Sequence, residues 1–131
     1  MSNKKFIDDR ERLEKLAPVA IAEIKHHVFV CNGKSCSAAG SAEVKAAFEI
    51  ELESRNLRYG KESKGRNPKG TVLLTDCGSV GFCSIGPAVL IYPENVWYAQ
   101  VQPQDVLEII KEHLENGKVV IRLALINIEK P

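Results

Sequence analysis

The chain has 131 residues and four cysteines, and its 18 Lys+Arg nearly balance 17 Asp+Glu, leaving a net charge of +1. That length supports one domain with a hydrophobic core and is short for two. Balanced charge excludes the strong field expected of a nucleic-acid binder or of a protein held to an anionic membrane by charge, so partner choice must come from local patches.

The N-terminal stretch "MSNKKFIDDRERLEKL" turns charged before any apolar run appears, and no later stretch reaches the roughly 20 apolar residues of a spanning helix. The expectation is a soluble, cytoplasmic protein. Thiols stay reduced in that compartment, so paired cysteines there read as metal ligands or redox groups more readily than as structural disulfides.

Residues 1–25 are expected to form a short N-terminal extension, with a helical stripe of Leu13, Leu16 and Ala17 interrupted at Pro18. The run "HHVFVC" then predicts a buried strand that carries Cys31 at its C-terminal end. His26 and His27, as neighbours on a strand, point to opposite faces and are assigned plain surface or strand-end roles. In "CNGKSCSAAGS" the Asn, Gly and Ser content predicts a loop. Ser41 is the expected N-cap of a helix with Val44, Ala47, Phe48 and Leu52 at three-and-four spacing.

Leu57–Tyr59 predicts a brief strand, and "GKESKGRNPKG" an exposed basic loop whose Lys61, Lys64, Arg66 and Lys69 are either a solvated surface or a steering patch for an acidic redox partner. "TVLLT" predicts a second clear strand, ending at Asp76 and delivering Cys77 as the first strand delivers Cys31. "AVLIY" and "VWYAQV" form an expected hairpin around Pro93 and Asn95. Of its adjacent aromatics Trp97 and Tyr98, one is expected inside and one at the surface. Pro103 opens a last helix with the stripe Val106, Leu107, Ile109, Ile110 and Leu114, and Gly117 lies just past its end. His113 on that helix is assigned to solvent. "VVIRLALI" predicts a final edge strand or a tail that contacts a partner. The element order points to one α/β domain over residues 26–131, a thioredoxin-like sandwich with a mixed sheet flanked by helices.

All four cysteines fall in two short loops, Cys31 and Cys36 with four residues between them, Cys77 and Cys83 with five. Four thiolates in two pairs can ligate two tetrahedral irons bridged by sulfides, or a single zinc. Structural zinc knuckles usually place two to four residues between ligands, so these intervals favour the wider cluster and leave zinc open. Gly33, Gly78, Gly81 and Gly86 let backbone amides turn toward cluster sulfurs. Lys34 is either a charge favouring a more negative reduced cluster or a solvated loop charge. Neither pair has the Cys-x-x-Cys spacing of a thiol-disulfide enzyme. No phosphate-binding loop, nucleophile elbow or zinc-protease motif is present in the sequence, so nothing in it suggests a substrate pocket.

"HVFVC" with "GKSC", then "GFCSIGPAVLIYPENVWYAQVQPQDVLEIIKEHLENGK", resembles the thioredoxin-like 2Fe-2S ferredoxins, a fold also found in the small iron-sulfur subunit of NADH dehydrogenases and hydrogenases. The likeness runs from about His27 to Val120 and is most distinctive from Cys83-Ser-Ile-Gly86-Pro87 onward. It implies that Cys31, Cys36, Cys77 and Cys83 ligate a 2Fe-2S cluster and that the protein is a homodimeric one-electron carrier between donor and acceptor oxidoreductases, with no nucleic-acid or membrane partner. One departure stands out. The family pattern has three residues between its last two ligands, which would place the third ligand at Ser79, whereas the available thiol is Cys77: either a longer loop lets Cys77 reach iron, or coordination is altered, through a Ser79 oxygen or an incomplete cluster. Two other functions fit less of the sequence: an electron-entry subunit of a hydrogenase or NADH dehydrogenase complex, and a zinc- or cluster-bearing regulatory or binding module.

Overall fold

The computed structural model describes residues 6–33, 37–78 and 85–125. Among the described residues four strands form one mixed sheet in the order β2-β1-β3-β4, with β1 His26–Cys31, β2 Val72–Cys77, β3 Val89–Tyr92 and β4 Val96–Tyr98. β1 lies parallel to β2 and antiparallel to β3, and β3 and β4 form the expected hairpin. The parallel pair needs a crossover, which helix α2, Ser41–Ser54, supplies. These are the strand positions that the β-branched runs predict, and the architecture is the α/β, thioredoxin-like one expected.

Two periodicities meet in the core. Val28 and Val30 of β1, two residues apart, share a sheet face, and Val44, Phe48 and Leu52 of α2, four apart, share a helix face; all five are buried in one cluster. Helix α3 closes the same layer. It begins with a 3-10 turn, Pro103–Asp105, continues as an α-helical turn, Val106–Glu108, and becomes a π-helix over Ile109–Glu115. The backbone N–H of Gln102 is capped by the Asp105 carboxylate at 2.9 Å. Val106, Ile109 and Ile110 are fully buried, while Leu107, expected in the stripe, is exposed.

Several local expectations change. Gly40, not Ser41, is the N-cap of α2: its positive φ of 102° suits a residue without a side chain. Ser41 is instead the first helical residue, buried, with its hydroxyl 3.5 Å from Asn32 Oδ1. The brief strand at Leu57–Tyr59 reduces to isolated bridges, Arg58 to Val72 and Tyr59 to Asn67. Past α3, Ile121–Leu123 form a 3-10 turn and Ala124 bridges Tyr98, in place of a full edge strand. At the other end, helix α1, Arg10–Leu16, and the 3-10 turn Pro18–Ile21 bury no residue, as suits an appended segment. Among the described residues no helix is long and apolar enough to cross a membrane.

Candidate metal centre

β1 and β2 run parallel and in register for six residues, and the last pair of that register is Cys31 with Cys77. Paired residues on neighbouring strands project to the same side, so the two thiols stand together at the carboxyl end of the parallel pair. They fall one residue beyond Val30 and Asp76, so alternation places them on the sheet face opposite the helices, with Phe29 and Thr75. Cys31 is fully buried and Cys77 partly so, and no disulfide joins them to each other. The Cys77 thiol is 3.8 Å from the Val30 carbonyl oxygen.

Backbone hydrogen bonds fix both strand ends. The Asn32 N–H donates to the Cys77 carbonyl at 2.7 Å, and the Cys31 N–H donates to the Ala88 carbonyl at 3.0 Å. The two cysteine-bearing loops therefore leave the sheet from anchored, adjacent points. Beyond Asn32, the Ser37 N–H donates to the Gly33 carbonyl and the Ser37 hydroxyl donates to Asn32 Oδ1 at 2.8 Å. The second cysteine of each loop, Cys36 and Cys83, lies outside the described residues, as do Lys34, Ser79 and Gly81.

The chemistry of this donor set fits a thiolate-ligated cluster. Two cysteines from different strands meet at a strand end, and each is followed in the sequence within six residues by one more cysteine. A structural zinc knuckle instead draws its first two ligands from one tight turn. Gly78 is not forced by space: a Cβ added there meets nothing within 4 Å.

One charged pair borders the strand end. Lys45 of α2 donates to Asp76 at 3.0 Å, and this hydrogen bond is the main cause that holds the Asp76 carboxyl below its ordinary pKa. With Val30, Asn32, Ser41 and Ala42 the two line a shallow pocket on the helix face of the sheet.

The remaining candidates divide. Tyr98 is buried and Trp97 partly exposed, with the indole N–H donating to Asn95 at 2.9 Å, as alternation requires. His26 and His27 do take opposite faces. His27 stacks on Phe29 and meets the Thr75 hydroxyl at 2.8 Å, and burial lowers its pKa. His113 is corrected from solvent to core. It is 1% exposed, and its Nδ1 pairs with the Tyr98 hydroxyl at 2.8 Å. Its position at 113, three beyond Ile110 and seven beyond Val106, puts it on the buried stripe of α3, a signal that its polarity masks. The lysines of the basic loop are exposed, and Arg66 is half-buried with its Nε atom enclosed.

The sequence matches the thioredoxin-like 2Fe-2S ferredoxin family over residues 20–114. A 2Fe-2S ferredoxin from Clostridium pasteurianum is 41% identical over 109 residues, covering 77% of this chain and 96% of its own. One from Aquifex aeolicus is 36% identical over 113 residues, covering 80% and 92%. The solved crystal structure of the wild type thioredoxin-like 2Fe-2S ferredoxin from Aquifex aeolicus superposes with a TM-score of 0.63 at 34% identity, covering 81% of this chain and 100% of that one. A family match over more than half of the chain, joined to relatives covered almost end to end, establishes the assignment: the chain belongs to the thioredoxin-like 2Fe-2S ferredoxin family.

Proposed function

We infer that this protein is a one-electron carrier that holds a 2Fe-2S cluster on Cys31, Cys36, Cys77 and Cys83 and serves donor and acceptor oxidoreductases. The observation that carries the reading is the register pairing of Cys31 with Cys77, which presents two thiols from two strands at one end of the sheet. When bound, the cluster supplies a couple that changes by one electron. The chain's own contribution is to fix the ligands. The Asn32 and Cys31 amides pin the strand ends, and a sheet with β1 at its centre resists a change of shape when charge is added. Lys45 offsets the Asp76 charge beside Cys77, which limits the repulsion that an added electron meets.

Cys77 takes the role that the family spacing gives to position 79, with an interval to Cys83 that is two residues longer in the sequence. The finer parts of this reading are that the carrier is a cytoplasmic homodimer and not itself an enzyme. Family membership supports the first, and the lack of an assembled catalytic motif in the sequence supports the second.

The test is on protein purified without oxygen: iron, sulfide and zinc content, with visible absorption and EPR before and after dithionite. Two irons and two sulfides per chain, with one unpaired electron on reduction, are expected. Stoichiometric zinc without bleaching overturns the reading.

A further inference from the structure

At the opposite end of β1 from Cys31, three side chains from distant parts of the chain converge. His26 opens β1, Glu94 sits in the β3–β4 turn, and His113 lies in the π-helical part of α3. His26 Nε2 is 3.0 Å from Glu94 Oε2, and His113 Nε2 is 3.4 Å from Glu94 Oε1. One ligand atom from each residue lies within 4.8 Å of those of the other two. From this geometry we propose that His26, Glu94 and His113 form a second metal site, separate from the cysteine ligands, which takes a divalent first-row cation such as zinc.

The separations suit the ion. Zinc–nitrogen and zinc–oxygen bonds of about 2.0–2.2 Å arranged tetrahedrally set neighbouring ligand atoms roughly 3.3–3.5 Å apart. The 3.0 Å contact of His26 with Glu94 Oε2 lies just below that spacing and the 3.4 Å contact of His113 with Glu94 Oε1 within it, so a cation enters with side-chain adjustments of a few tenths of an ångström to about 1 Å. Two imidazoles and one carboxylate form the donor set of open, three-ligand metal sites, with a further position left for water. Exposure supplies that opening: the His113 side chain is 1% exposed and His26 11%, but Glu94 is 36% exposed and leads to solvent.

The outer partners also match. Metal-bound histidines usually hold their second ring nitrogen on a fixed neighbour, which orients the ring. His113 Nδ1 faces the Tyr98 hydroxyl, and the Tyr98 oxygen is itself fixed by accepting the Val120 N–H at 3.0 Å. The nitrogen left to point at Glu94 is Nε2. Without a cation His113 Nε2–H donates to the Glu94 carboxylate and Nδ1 accepts from the Tyr98 hydroxyl; loading moves the His113 proton to Nδ1, where it meets the Tyr98 oxygen and reverses that hydrogen bond, so that the Nε2 lone pairs of both histidines face the ion. Such a site would tie the start of β1, the hairpin turn and α3 together. Cys31 lies five steps along the extended strand from His26, about 16 Å, so the cation neither replaces nor touches the cysteine ligands.

The test is equilibrium dialysis of the cluster-loaded protein against zinc, with iron content followed in parallel, for the wild type, His26→Ala and Glu94→Gln. One zinc per chain is expected in addition to the full iron complement, with affinity reduced roughly tenfold or more in either variant and an unchanged visible spectrum. Zinc should raise the melting temperature of the wild type and not of the variants. Cadmium NMR separates the possible ligands: a resonance in the nitrogen/oxygen range is expected. No zinc bound by the wild type, zinc bound by both variants as tightly as by the wild type, or a cadmium resonance only in the thiolate range would each overturn the site.

Discussion

Cys31 stands directly opposite Cys77 across the parallel β1–β2 pair, at the point where both strands end. Neither residue can be exchanged for a neighbour in the strand without turning the side chain to the other face, because strand side chains alternate. Cys31→Ser and Cys77→Ser are therefore each expected to abolish or strongly perturb the cluster, seen as lost or shifted visible absorption and an altered EPR signal. Ser79→Ala should leave both spectra essentially unchanged. Intact spectra in Cys77→Ser together with a perturbed Ser79→Ala would move the third ligand to position 79.

Lys45 and Asp76 form an ion pair one residue from Cys77, with the lysine 29% and the aspartate 45% exposed. Lys45→Ala leaves the Asp76 charge uncompensated, and an added electron then meets more repulsion. The midpoint potential should become more negative by roughly 10–40 mV, the scale of a screened interaction between partly exposed charges. Asp76→Asn should move it the other way. Both shifts should shrink as salt is raised, and titration of the two variants at low and high ionic strength checks all three statements.

The strands of this protein are legible because apolar periodicity and strand burial express the same physics. "HHVFVC" and "TVLLT" differ from the observed β1 and β2 by at most two residues, and the pairing of Cys31 with Cys77 follows once both strands enter one sheet. Caps and packed polar groups are less legible. Ser41 is a good N-cap by chemistry, but Gly40 takes the left-handed backbone and Ser41 is drawn inward beside Asn32. The site at His26, Glu94 and His113 depends on residues up to 87 positions apart, and no local pattern joins them. His113 carries a signal in its spacing to Val106 and Ile110, but its polarity argues for solvent until Tyr98 is seen to satisfy its ring nitrogen.

The Tyr98 hydroxyl serves two buried groups at once, accepting from the Val120 N–H and pairing with His113 Nδ1. Tyr98→Phe keeps the ring and strands both partners away from water. Leaving buried polar groups unsatisfied costs about 1–3 kcal/mol, so the chemical denaturation midpoint should fall with the slope unchanged. Trp97→Phe removes an exposed N–H that meets Asn95 and should cost well under that amount. Equal losses in the two variants would show that the Tyr98 hydroxyl is not a buried hub.

Burial lowers the pKa of His113, against an opposing pull from the Glu94 carboxylate and with a further push down from His26, and burial alone lowers that of His27. A histidine with a lower pKa in the folded than in the unfolded state binds fewer protons when folded across the interval between the two values, so stability rises with pH there. The contribution is complete above the ordinary histidine value near 6.5 and is lost as pH falls from it toward the folded values. Denaturant midpoints measured from pH 8 down to pH 5 should therefore drop below about 6.5. Removing one titrating group in His113→Gln should lower stability at pH 8 yet flatten the decline toward pH 5. A decline as steep as that of the wild type would assign the acid sensitivity to other groups and leave His113 without a part in it.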